Sequence, residues 1–552
     1  MYIASSLLLL FTTWSAWTCV NLFKNYRIAR KINLPIIVSP TGTLNPLWII
    51  TYKLIPSIIP LLDLLPLKVG RWARYTYMGW QFDDKHAIHD ELGPAFVLCT
   101  PSLNEVIVAD SSAVHSILSR RKDFIKPAIM YDGLNAFGKN LDSVEGETWQ
   151  KHRKLTAPNF NERVSSSVWS ESLRQASQML HEWISSPEGT LDMVRDTATL
   201  ALHVLTYAGL GIQYTFKDAN NKLEAPHSMT YRDALSLALS NFTLLVMLPM
   251  NAMTLPLFPA KVRKVGQACL EFKLYMKEMV DGVKSSPAKN QDIEAHNLLG
   301  ALVQASQAEN HGLSDDELYG NLFIYNMAGH ESTANTVATS VAYLAAAPKW
   351  QDWIFKELRE VLEYSSSTRS WIYEEVYPRL KRCQAIQLET LRLHGSTVFL
   401  PKATGNATQI VTIAGTDIAI PPNTFVVANS QALHCDTRSW GDDALEWRPD
   451  RWILQRGIPG EEELIEPQPG TFIGWAGGPR VCPGKKFSQV EFAAVMAALF
   501  REHKVAPRAE GNETAQETRK RLERMIEDST ITAITLQMKN PRDVRLVWSK
   551  RS

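Results

Sequence analysis

Cys482 stands in the stretch WAGGPRVCPGKKFSQVEF, residues 475–492, where its neighbours favour a thiolate. Gly477 and Gly478 permit tight turns and close backbone approach to a cofactor. Pro483 and Gly484 keep the chain irregular just past the sulfur. A helix is expected from about Lys485, so that backbone N–H groups and the positive helix end face the thiol. Such surroundings lower a thiol pKa. Arg480, two residues earlier, is placed to bind an acidic group of the same cofactor. A thiolate in this nest serves as a nucleophile or as a metal ligand. No separate histidine partner for a nucleophile is apparent, and a soft single thiolate beside a guanidinium suits haem iron.

Three further constellations carry chemistry. In Ala328-Gly329-His330-Glu331-Ser332-Thr333, small residues let a flat ligand lie on a helix, and a carboxylate beside two hydroxyls can relay protons. The plainer reading is a helix–helix contact whose hydroxyls bond back to carbonyls. Glu389-Thr390-Leu391-Arg392 puts Glu389 and Arg392 on one helix face, able to pair, though an exposed pair of this kind contributes little. In Glu446-Trp447-Arg448-Pro449-Asp450-Arg451-Trp452, Arg451 can join that pair around one carboxylate, or sit on a loop surface.

The elements that must position these groups follow from the pattern. The chain has 552 residues, 45% hydrophobic and 21% charged, which is globular composition; no linker or fixed-period repeat divides it. Its net charge of +1 argues against nucleic acid as a partner. Six scattered cysteines form no CxxC pair, so the default for each is a small buried hydrophobe, which only the surroundings of Cys482 overturn. Mostly helix with minor sheet is expected. A small β-sheet falls within ELGPAFVLCTPSLNEVIVAD, and strands return at QIVTIAG, TFVVANS and DVRLVW. A long buried helix should open at Ser314 with a capping box to Glu317 and stop before Pro348, about 32 residues or roughly 48 Å. A second helix is expected from Pro378 to just before Gly395.

Residues 1–23 have no charged side chain and are followed by Lys24, Arg27, Arg30 and Lys31. An uncleaved single-pass transmembrane anchor with a cytosolic body is the expectation. On such a body the sequons at Asn241, Asn406 and Asn512 would stay unmodified. Residues 24–90 read as a membrane-proximal segment, interrupted by Pro46, Pro56, Pro60 and Pro66, and by Lys53 and Asp63. It packs on the core as a loop or rests in the headgroup region. Residues 91–552 read as one catalytic domain. The segment RAEGNETAQETRKRLERMIED reads as a charged, exposed insertion.

The ordered set AGHEST, ETLR, WRPDRW and WAGGPRVCPG resembles the motifs of the cytochrome P-450 superfamily, and looks most like its membrane-bound, fungal-type members. The resemblance spans roughly residues 92–548. It implies a mainly α haem domain with minor β, haem b as cofactor, and Cys482 as the axial thiolate on iron. It further implies that Arg480 contacts a haem propionate, with Trp149 and Arg153 of a W-x-x-x-R helix and Lys402 as additional propionate ligands. Glu389, Arg392 and Arg451 would form an internal ion-pair triad that holds the cysteine loop. Glu331 and Ser332, with Thr333 beside them, would feed protons. Two departures stand out. Trp475 replaces the usual phenylalanine and brings an indole donor that, aimed at the thiolate, would raise the iron's potential. Ser332 replaces the relay threonine and loses the methyl that fixes its rotamer.

The activity implied is O2-dependent monooxygenation of a lipophilic small molecule, by hydroxylation or epoxidation, in secondary metabolism. Electrons would come from an NADPH-cytochrome P-450 reductase at the endoplasmic reticulum membrane, docking near Lys151, Lys154, Lys485 and Lys486. Phe323, Asn326, Met327 and Ala328, residues 396–399, the loop 125–138 and the region 242–256 would line the pocket. The alternatives are a thiolate-haem isomerase or peroxide-using enzyme, and a haem sensor without turnover.

Overall fold

The computed structural model of the protein describes all residues except 1, 46–47, 49–50, 52–53, 65–68, 187, 218–226, 286–296, 308–311, 363–370, 456–461, 533–534 and 552. Of the residues singled out above, Pro46, Lys53 and Pro66 lie outside the described set. The chain is mainly helical, 61% helix against 11% strand. It divides into two compact units, the first comprising residues 1–127, 397–446 and 467–482, the second the remainder.

Unit one is built on a five-stranded sheet ordered β1-β2-β3-β7-β4: β1 (Ile36–Val38), β2 (Ala95–Cys99), β3 (Asn104–Val108), β4 (Leu400–Ala403) and β7 (Phe425–Ala428). β2 and β3 pair antiparallel and every residue in both is buried; β2 is a continuous apolar run, while β3 also buries Asn104 and Glu105 ahead of Val106, Ile107 and Val108. A separate hairpin joins β5 (Gln409–Ile413) to β6 (Thr416–Ile420).

A helix, α1 (Tyr2–Ala29), covers the segment for which an anchor was expected. Its last turns belong to unit one: Ala29 lies in the core, and Asn25 donates to the carbonyls of Thr100 at 2.8 Å and Pro101 at 3.2 Å. Among the described residues, no helix is long and apolar enough to cross a membrane. The following segment forms a short helix over Ile55–Leu62. It splits the two expectations for this stretch between its faces, with Ile55 and Ile59 in the core and Ile58 and Leu61 exposed.

Unit two is helical. Its elements used below are α2 (Gly146–Thr156), α3 (Asp315–Ala346), α4 (Lys381–Leu393), α5 (Lys485–Phe500) and α6 (Ala515–Glu527), with β11 (Ser529–Thr532) and β12 (Thr535–Met538) as an antiparallel hairpin. α3 is 32 residues long. Ser314 and Glu317 form the capping box, each side chain bonded to the other's backbone N–H. α4 starts at Lys381 rather than Pro378, because Pro378 sits in a 3-10 turn over Tyr377–Arg379. α6 is no loose insertion. Its Leu522 and Ile526 are buried in the core, and Glu527 accepts from the Tyr343 hydroxyl at 3.0 Å.

Glu317 also ties α3 to α2. Lys151 Nζ lies 2.7 Å from Glu317 Oε2, and His152 Nε2 lies 3.1 Å from Oε1. Burial pushes this carboxyl up, but Lys151, the Ser314 N–H and His152 outweigh it and bring the pKa down to about 2. A depressed folded pKa contributes stability that is present above the ordinary value of 4.5 and is lost as pH falls toward 2. Glu317→Gln is therefore expected to lower stability at pH 7 while flattening the acid limb between pH 4.5 and 2, as read by urea titrations at several pH values. An acid limb identical to that of the wild type would contradict this.

Candidate active site

In unit one, Cys482 is an exposed thiol at the end of a constrained loop. Its N–H donates to the Trp475 carbonyl at 3.0 Å, closing the turn that the motif spans. Gly478 has φ +62°, and a Cβ there would fall 2.4 Å from the Leu118 carbonyl oxygen, so the close backbone approach is to the chain itself. Ala476 adopts φ 61°, a left-handed conformation that disfavours alanine by about 1–2 kcal/mol. Trp475 packs edge-on to Phe472, with ring centroids 6.0 Å apart. Arg480 is half-buried in the same loop, and Lys402 is buried on β4.

The other thiols of the folded body differ. Cys99, Cys269, Cys383 and Cys435 are buried. Burial pushes Cys99 up to about 11 and Cys269 up to about 12, and it raises Cys383 well above its ordinary value. These stay protonated and inert.

In unit two, α3 carries the acid–hydroxyl segment. Ala328 and Ser332, one turn apart, are exposed and half-buried on a helix that is otherwise largely interior. Thr333 is buried. Ser332 Oγ donates back to the Ala328 carbonyl at 2.9 Å, and the Ser332 carbonyl accepts from Ser396 Oγ at 3.3 Å. Gly329 has a helix-packing role, because a Cβ there would meet Leu205 at 3.1 Å. Burial raises the Glu331 carboxyl, against a weaker pull from His330 and Thr535.

The expected pocket lining is partly corrected. Phe323, Asn326 and Met327 are packed core residues. Phe323 lies 4.5 Å from the Phe137 ring centroid, and Asn326 Oδ1 accepts from the Tyr231 hydroxyl. Ala328 alone of the four is open. A helix apolar on all sides gives no periodicity from which its facing can be read.

Among the described residues, Glu389 accepts from five donor atoms on α4 and the segment after Glu446. Arg392 Nε and Nη2 approach it at 2.8 and 2.7 Å, and Arg451 Nε at 3.0 Å. The Arg448 N–H lies at 2.8 Å and the Trp452 indole N–H at 2.9 Å. Sequence reasoning found the three charged members but missed the two neutral donors. Trp149 is buried against Leu141 and Val144 on α2, and Arg153 is half-buried on the same helix.

Glu491 was also missed. It is fully buried on α5, neither carboxyl oxygen has a hydrogen-bond partner among the described residues, and burial raises its pKa well above the ordinary value. Its only sequence signal is position, nine residues past Cys482.

Within unit one, a single exposed thiol on a pinned loop that also carries Arg480 fits a haem with one thiolate ligand. Within unit two, α3 places Ala328 at an exposed position on an otherwise largely buried helix. Among the described residues, no group of three or more His, Cys, Asp or Glu side chains is assembled to hold a different metal.

Comparison with known proteins agrees. A family model described as Cytochrome P450 matches residues 69–528. The phomenoic acid biosynthesis cluster cytochrome P450 monooxygenase of Leptosphaeria maculans is 28% identical, covering 93% of this chain and 94% of that protein. Cytochrome P450 monooxygenase 124 of Postia placenta is 30% identical over 85% of this chain and 88% of its own. The crystal structure of a cytochrome P450, CYP102L1, superposes with a TM-score of 0.64 over 85% of this chain and 94% of that one. Its 17% identity makes that a likeness of fold.

Proposed function

The chain belongs to the cytochrome P450 family of haem-thiolate monooxygenases, and from that premise we propose that it hydroxylates or epoxidises a lipophilic small molecule in secondary-metabolite biosynthesis. The observation that carries this reading is the exposed thiol of Cys482 in its pinned loop, where four other cysteines are buried. Haem, when bound, supplies the redox chemistry of oxygen activation. Cys482 would hold its iron, and Arg480, Trp149, Arg153 and Lys402 its carboxylates.

The chain's own residues handle protons. Burial raises Glu331, so its carboxyl carries a proton closer to neutral pH than an exposed glutamate does. Ser332 Oγ lies on the open stripe of α3 and passes protons on once it leaves the Ala328 carbonyl. That bond is also the observation that favours a second reading, a peroxide-using enzyme or isomerase that needs no relay. The deciding experiment compares oxygen consumption and products with NADPH plus reductase against those with peroxide, over a panel of lipophilic candidates. Turnover with peroxide, together with no oxygen consumption or product from NADPH plus reductase, would overturn the monooxygenase reading.

Attachment to the endoplasmic reticulum membrane with a cytosolic catalytic domain completes the proposal. It is supported by the exposed Leu9, Phe11, Trp14, Trp17 and Val20 of α1. Release of the full chain from microsomes by alkaline carbonate would remove it.

The reductase would dock on lysines, of which Lys485 and Lys154 are exposed. Lys151 is taken by Glu317, and Lys486 lies over the Tyr377 ring, 4.4 Å from its centroid. Lys485→Glu is expected to slow reduction by roughly 10-fold at low ionic strength and much less at high salt. Unchanged low-salt reduction kinetics would take Lys485 out of the docking surface.

A further inference from the structure

Glu331 is a carboxylate largely withdrawn from water, and such a group needs a hydrogen-bond donor. Among the described residues the donor is Thr535, whose Oγ1 lies 3.4 Å from Glu331 Oε2. Thr535 is itself buried, and its hydroxyl accepts from Asn335 Nδ2 at 3.3 Å. Asn335 stands four residues after Glu331, one turn along α3. The three side chains therefore make a directed row, in which the Asn335 amide fixes the threonine hydroxyl so that its proton points at the carboxylate.

The row is seated by backbone. Leu536, next to Thr535 on β12, donates its N–H to the Ser396 carbonyl at 3.1 Å. Ser396 Oγ in turn donates to the carbonyl of Ser332. The β11–β12 hairpin is thus tied to the acid–hydroxyl segment at two neighbouring residues, once through Glu331 and once through Ser332.

The geometry points to Thr535 as a positioning residue for proton delivery, holding the Glu331 carboxylate in one orientation and stabilising its ionised form. This rests on the relay reading of Glu331 given above. The chargeable group acting on Glu331 from its own helix is His330, while Asn335 and the hairpin contribute neutral groups. Loss of the threonine hydroxyl weakens the ionised form more than the neutral acid, because a charged acceptor holds a donor more tightly. The carboxyl pKa then rises.

The test uses the haem-loaded full chain. The Glu331 carboxyl band is assigned by its loss in Glu331→Gln and titrated by infrared difference spectroscopy. The expected result is a higher midpoint in Thr535→Val, with Thr535→Ser returning it to near the wild-type value. The carbon-monoxide spectrum and thermal midpoint of both variants serve as the folding control. With NADPH and reductase, Thr535→Val should release several-fold more hydrogen peroxide per NADPH consumed, and Thr535→Ser should not. A midpoint in Thr535→Val equal to that of the wild type would overturn the assignment, as would a serine variant that behaves like valine. The relay reading fails separately: Glu331→Gln with unchanged peroxide release would remove it while leaving the titration shift in place.

Discussion

Cys482→Ser is expected to abolish the thiolate signature in the carbon-monoxide spectrum and to lower NADPH-dependent turnover by at least about 100-fold. Even outer-shell partners of a metal ligand commonly cost 10–100-fold, so loss of the ligand atom sets that figure as a floor. The loop itself should survive the exchange. Its closing bond runs between backbone atoms, from the 482 N–H to the Trp475 carbonyl, and the left-handed turn at Gly478 is independent of the sulfur. A serine hydroxyl, however, is a hard and weakly acidic donor that cannot push electron density as a thiolate does. Serine at Cys99 or Cys269 provides the contrast. Their buried thiols, pushed up to about 11 and about 12, are not ligands, so those variants should keep the spectrum and lose only some stability. A Cys482→Ser protein with an unaltered carbon-monoxide band would end the haem-thiolate assignment.

What was legible in the sequence was whatever chemistry compresses into a short window. Cys482 with its glycines, and Glu389 with Arg392 one turn on, are local patterns, and each sits on the element that local propensity predicts. Contacts over long separations were not legible. Thr535 and Glu331 are 204 positions apart, and no periodicity joins a strand residue to a particular carboxylate. Backbone strain at Ala476 was equally hidden, since alanine does not announce a positive φ in the way glycine does. Glu491 gave no signal of its own, since charged side chains are rarely fully buried and only the packed α5 shows that this one is. In α6, the charged surface residues concealed the two side chains, Leu522 and Ile526, that seat it in the core.

The largest stability effect is expected at Glu389. Its side chain and those of Arg392 and Arg451 are 0%, 0% and 5% exposed, so the cluster lies outside the solvent screening that makes surface pairs weak. The two guanidiniums share one carboxylate, whose oxygens are further occupied by the Arg448 N–H and the Trp452 indole. Glu389→Ala removes the acceptor for all five bonds at once and leaves two buried cations facing each other. Breaking a buried pair in this way costs about 3–5 kcal/mol, a large part of the roughly 5–15 kcal/mol that holds a typical domain folded. Glu389→Gln keeps an oxygen for one or two of the donors but loses the charge, and should fall between alanine and wild type. Arg451→Lys tests the other side, because an ammonium cannot reproduce the Nε approach at 3.0 Å and should cost less than loss of the carboxylate. Denaturant midpoints measure the order wild type, Arg451→Lys, Glu389→Gln, Glu389→Ala. Haem retained at equal protein concentration shows whether the brace extends to the cysteine loop. If Glu389→Ala lost less than about 1 kcal/mol, the cluster would have the energetics of a surface pair despite its burial. The E-x-x-R pattern would then be incidental to the fold.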